Sequence, residues 1–252
     1  MKFSSKIFKT TIVLFISSLL FIGCSSDDDN MEDPPTMGDN PDFTLLETDI
    51  ILPTALESNS DPKAQELVSH ISMVKQYESY TALTQVPPGA EVSHEPIDPT
   101  GSFQRKPFDN SISYTVYTYS YGEATIAYQF SVQNGMNVVE IFYSGFETNG
   151  FVKYMELRQS QDDQNGSLKF LGFEDYDYLY QWVWEVNSDD SIDITFNMAD
   201  DVAKYEMHYN PDMSGTLKIY YENELNLEYS WNVDGSGNWI NYITGESGSW
   251  SV

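Results

Sequence analysis

Aromatic side chains stand at every second position of Asp175-Tyr176-Asp177-Tyr178-Leu179-Tyr180-Gln181-Trp182-Val183-Trp184. In an extended chain alternate residues share a face. Tyr176, Tyr178, Tyr180, Trp182 and Trp184 would then form one ribbon of rings. Such rings offer a large apolar area and keep a polar handle at each Tyr O–H and Trp N–H. That surface suits a sugar ring or an amphipathic lipid, and it equally suits core packing against a helix. Tyr117, Tyr119 and Tyr121 make a shorter stripe with the same two readings.

Acidic residues pair at Asp162-Asp163, at Asp189-Asp190 with Asp193, and at Asp200-Asp201. Clustered carboxylates attract calcium, and Asp234-Gly235-Ser236-Gly237-Asn238 has the composition of a cation loop. The full ligand spacing of a calcium loop is missing. The acids therefore read as solvated turn residues, and no metal or cofactor is expected. Two carboxylates can hydrolyse a glycoside when they meet in space, which keeps a hydrolase as the least favoured reading. His70, His94 and His208 are scattered over a helix, a loop and a strand. No Gly-x-Ser-x-Gly elbow, paired-histidine zinc motif or Gly-rich phosphate loop is present. The chain is expected to be non-catalytic.

Cys24 is the one cysteine. Ahead of it come Lys2, Lys6 and Lys9, then a short apolar run from Thr11 to Ile22. That run is shorter than the roughly 20 residues a spanning helix needs, and it reads as a secretory leader over residues 1–23. Leu20-Phe21-Ile22-Gly23-Cys24 resembles the lipobox of bacterial lipoproteins, with Phe21 in place of the usual Leu. The resemblance implies that Cys24 takes a diacylglycerol on its thiol and becomes the acylated N-terminus. Ser26, Asp27, Asp28 and Asp29 resemble the acidic export signal of Bacteroidota surface lipoproteins. The implied location is the outer membrane, lipid-anchored and exposed at the cell surface.

The formal net charge is −27. A body of that charge repels phosphate backbones, so nucleic acid is excluded as a partner. With Cys24 acylated no disulfide can form, and the fold must rest on its core. Aromatic residues make up 15% of the chain, too many for a disordered protein.

Residues 24–42 read as an acidic tether, stiffened by Pro34, Pro35 and Pro41. Residues 43–252 read as a single β-rich domain. Asp61-Pro62 opens a helix over about 62–79, because Asp caps free N–H groups and proline is tolerated at the first helical position. Ala64, Leu67, Val68, Ile71 and Val74 give it one apolar stripe. Residues 85–110 read as a proline-rich loop. From Ser111 to Val252, alternation and turn residues such as Asn134-Gly135 predict an antiparallel up-and-down meander of about eleven strands. A curved open sheet or barrel would result, resembling lipocalins or lipoprotein carriers in layout, with the helix packed on it.

These elements carry two leading functional expectations. In the first, the domain binds a glycan or lipid through its aromatic face. In the second, it is an interaction or structural module that docks onto an outer-membrane protein.

Overall fold

The structure is a computed structural model. It describes residues 50–97, 112–145, 148, 150–162, 164–172, 178–199 and 202–252. The leader, Cys24, the tether, Ser26, Asp27, Asp28, Asp29 and Tyr176 lie outside these residues.

Alternating apolar and polar residues build one antiparallel sheet. Its strands are β1 (Glu91–Ser93), β2 (Tyr114–Tyr121), β3 (Ala124–Gln133), β4 (Met136–Ser144), β5 (Val152–Ser160), β6 (Asn165–Phe170) and β7 (Tyr180–Val186). They continue as β8 (Ile192–Met198), β9 (Lys204–Tyr209), β10 (Gly215–Tyr221), β11 (Glu224–Trp231), β12 (Gly237–Asn241) and β13 (Ser247–Trp250). Spatial order equals sequence order from β1 to β13, and the sheet does not close. The barrel alternative is thereby corrected to an open sheet. Among the described residues the strand number rises from eleven to thirteen, and both additions are edges. β1 hides in the stretch read as a proline-rich loop. β13 consists of Ser247-Gly248-Ser249-Trp250, whose small residues carry no alternation to read.

Among the described residues two α-helices precede the sheet, α1 (Thr54–Glu57) and α2 (Pro62–Val74). Asp61 caps α2 by accepting the Lys63 N–H at 2.7 Å, with Pro62 at the first helical position. Ala64, Leu67, Ile71 and Val74 are buried. The helical pattern expected to reach residue 79 changes after Val74 into a 3₁₀ segment, Lys75–Thr84.

The two sheet faces differ in kind. The inner face joins the α2 residues in one core, with Tyr128, Ile141, Leu157, Leu168, Trp182 and Ile219 among its members. The opposite register positions carry the cations Lys153, Arg158, Lys169, Lys204 and Lys218. Period-two alternation thus sends five of the chain's few positive charges to one outer face.

Three turns at one end of the sheet share the sequence Asn-x-Asp-x-Ser: Asn187–Ser191, Asn210–Ser214 and Asn232–Ser236. In each, the Ser Oγ donates to Asp Oδ1 at 2.6–2.7 Å and the Asn side-chain amide donates to the Ser Oγ at 3.0–3.1 Å. The fourth residue takes a positive φ: Asp190 63°, Met213 70°, Gly235 87°. This is a three-residue hairpin loop, a tight turn followed by a left-handed residue. After two of these turns a glycine opens the next strand and lies directly beneath a tryptophan. Gly215 pairs with Trp231 and Gly237 with Trp250. A Cβ at either glycine would overlap the indole above it. The indole N–H groups then reach back to the turns, Trp231 to Met213 O and Trp250 to Gly235 O, both at 2.8 Å. Gly166 beneath Trp184 repeats the pairing on β6 and β7.

Gly215→Ala drives a methyl into the Trp231 ring and the His208 carbonyl. Overpacking of this kind costs about 1–3 kcal/mol. The urea midpoint of the variant is expected to fall accordingly, and an unchanged midpoint would show that the indole yields without cost.

Candidate functional site

The aromatic ribbon of the sequence divides in the structure. Trp182 and Trp184 are 2% and 1% exposed, beneath α2 and the 3₁₀ segment. Tyr180 is 39% exposed and Tyr178 is half-buried. The inner-facing rings do not stop at β7. Trp182 stacks on Phe196 at 4.5 Å, Phe196 on Tyr205 at 5.7 Å, and the His70 ring lies 5.7 Å from Tyr205 and 6.2 Å from Tyr229. On the other side Phe170 meets Trp182 and Tyr80 edge-on. A row of rings therefore crosses β6 to β11 under the helix. Offset and edge-on pairs of this kind add about 0.5–1.5 kcal/mol each beyond their buried area.

The row is fastened to the helix by a hydrogen bond. Trp182 Nε1 donates to Val74 O at 3.0 Å, where α2 passes into the 3₁₀ segment and the backbone pattern changes. Tyr77 stacks on Trp184 at 5.8 Å. The Trp184 indole N–H is buried and finds no acceptor among the described residues. The carbonyl that its counterparts use corresponds to Gln164 O, and that atom accepts the Val186 N–H at 2.8 Å instead.

Between α2 and the β9–β11 part of the inner face lies a polar group. Lys63 Nζ bonds Glu66 at 2.7 Å and sits 4.7 Å over the Trp239 ring. His70 Nε2 is 3.9 Å from Glu66. Burial lowers the His70 pKa, and the Glu66 carboxylate only partly opposes that. Burial would raise the pKa of Glu66, but Lys63, Tyr229 and His70 outweigh it and hold the carboxylate ionised. Tyr229 is pushed above its ordinary value by burial and by Glu66. The rings of Tyr205 and Tyr229 flank the His70 imidazole here, an arrangement suited to packing.

The outer face holds a second polar group that local patterning did not foreshadow. Lys153 Nζ bonds Glu140 at 2.8 Å and Glu156 at 2.6 Å, and Arg158 Nε bonds Glu156 at 2.6 Å. Gln129 Nε2 donates to Glu140 at 2.7 Å, while its Oε1 accepts the Ile97 N–H at 2.7 Å. Burial favours the neutral acid at Glu156, but Lys153 and Arg158 prevail and bring its pKa to about 2. Two acids and two bases cancel, so the group ties three strands together and holds no net charge for a ligand. Glu140 meets Glu156 only through the β4–β5 register, which local patterning does not specify.

The remaining candidates fall apart in space. Asp189 and Asp234 serve their own turns, as above. Asp162 accepts the nearby Gln164 N–H, and Asp163, Asp200 and Asp201 lie outside the described residues. His94 Nδ1 lies 3.1 Å from Tyr114 O. His208 is on the outer face, its Nδ1 2.7 Å from Asp193 and its Nε2 3.2 Å from Asn210 Oδ1. Both ring nitrogens are thereby engaged. Among the described residues no three His, Cys, Asp or Glu side chains converge to hold a metal. No protein-family model and no curated protein matches the chain.

If the indoles are core, Trp182→Ala costs about 3–5 kcal/mol of stability. Tyr180→Ala, at the exposed end of the row, costs less than half as much. Denaturant titration of the two variants checks this, and equal losses would contradict the division.

Proposed function

We propose that this chain is a lipid-anchored outer-membrane protein, displayed at the cell surface, whose β-domain is a non-catalytic interaction module of an outer-membrane assembly. Cys24 carries the acyl chains, and Ser26, Asp27, Asp28 and Asp29 direct export, on the lipobox and acidic-motif resemblances. Two or more chains give a stable anchor. The observation that carries the interaction reading is the burial of Trp182 and Trp184. Rings committed to the core leave the rims and outer face of the sheet as the surfaces for recognition. A second reading keeps the glycan or lipid ligand and moves it to the end of the row. Tyr180, 39% exposed and stacked on Phe196 at 6.2 Å, favours it.

Native electrophoresis of gently solubilised membranes tests both parts of the first reading. The wild-type chain is expected in a discrete assembly well above the monomer, and Cys24→Ala in the soluble fraction. A wild-type chain that migrates alone contradicts the module, and a Cys24→Ala chain that stays in the membrane contradicts the anchor.

A further inference from the structure

The two edges of the sheet are finished differently. At one end, β1 is three residues long and carries Glu91, with Pro87, Pro88 and Pro96 around it. The chain then turns over the outer face, where the Ile97 N–H reaches Gln129. Shortness, charge, proline and a covering segment are the devices that keep an edge from pairing. At the other end, β13 carries no charge and no proline, and its pairing with β12 runs without a bulge.

The register identifies which backbone groups β13 presents. The Asn241 N–H bonds Glu246 O at 2.8 Å. Bonded pairs alternate along an antiparallel ladder, so Trp239 with Gly248 and Gly237 with Trp250 are the next bonded pairs. Ser247 and Ser249 therefore point their N–H and C=O groups away from β12. Asn59 Nδ2 donates to Ser251 O at 3.0 Å and pins the far end of the strand. Beside this ladder lie exposed apolar side chains, Ile240 at 40% and Ile243 at 70%, with Tyr242.

Charge selects the occupant. From Ile219 onward the sequence contains Glu222, Glu224, Glu228, Asp234 and Glu246, and no Lys, Arg or His. The cation that approaches from α2, Lys63, is already held by Glu66 and Trp239. A second copy of this chain would bring acid against acid.

We propose that β13 accepts a basic, extended segment of another protein as a further strand of the sheet, Ser247 and Ser249 supplying the backbone bonds. Strand addition draws affinity from main-chain bonds and specificity from alternate side chains, and the acidic margin would steer lysine or arginine to it. This rests on the interaction reading above and names the chemistry of its partner.

Amide exchange on the full mature chain in detergent micelles tests it. The probes are a nine-residue peptide alternating lysine with valine and its glutamate counterpart. At about ten times its Kd, the lysine peptide is expected to slow exchange at Ser247 and Ser249 roughly tenfold. Ser249→Pro, which removes one outward N–H and no ladder bond, abolishes the effect, and Glu246→Lys weakens it. Unchanged exchange, equal slowing by the glutamate peptide, or slowing that follows chain concentration without peptide would each overturn the proposal; the last would mean a second copy. If the native assembly survives in the Ser249→Pro chain, the edge proposal falls while the interaction reading stands.

Discussion

One hydrogen bond organises the inner face, that from Trp182 Nε1 to Val74 O. It joins the helix, at the point where α-geometry ends, to one of the largest buried side chains of the central strands. A buried indole N–H without an acceptor costs about 1–3 kcal/mol, and a carbonyl at a helix end needs a donor. Each group answers the other's need, which fixes both the height of α2 above the sheet and the rotation of the Trp182 ring. The stacking of Phe196, Tyr205 and His70 follows from that placement. The same rings that could have bound a sugar are consumed in seating a helix.

A second constraint sets the rim. Each Asn-x-Asp-x-Ser turn satisfies its own polar atoms and delivers its strand in a defined register. After two of them a glycine, Gly215 or Gly237, lets a tryptophan of the neighbouring strand lie over the backbone. Three of the hairpins reuse this turn, and the strands follow one another in sequence order without closing. An open sheet leaves two edges, and the contrast between β1 and β13 is where the proposed interaction enters.

Much of this was legible in the sequence. Alternation and turn residues gave the meander, and Asp61-Pro62 with the stripe through Val74 gave the N-terminal helical segment. The edges were not legible. Ser247-Gly248-Ser249 has no apolar alternation, and Glu91-Val92-Ser93 stands among prolines, so only pairing with a neighbour makes them strands. The aromatic ribbon was visible, but its fate was not, because a ring beneath a helix and a ring lining a cavity have the same spacing. The Lys153 group was hidden for another reason. Its members meet across strands, through a register that a bulge between Ile141 and Phe142 shifts. The threefold Asn-x-Asp-x-Ser turn did lie in plain view, and its five-residue spacing was the signal that could have located the rim.

Hydrogen exchange across α2, β7 and β8 tests most directly whether the helix and the aromatic row are one unit. If they are, the amides from Leu67 to Val74 exchange only through the opening that also exposes Trp182 to Val186 and Ile192 to Phe196, with the same free energy. Exchange of the helix through a lower-energy opening, with the two strands still protected, would contradict that unity. The helix would then be a lid, and the rings beneath it a binding face that opens.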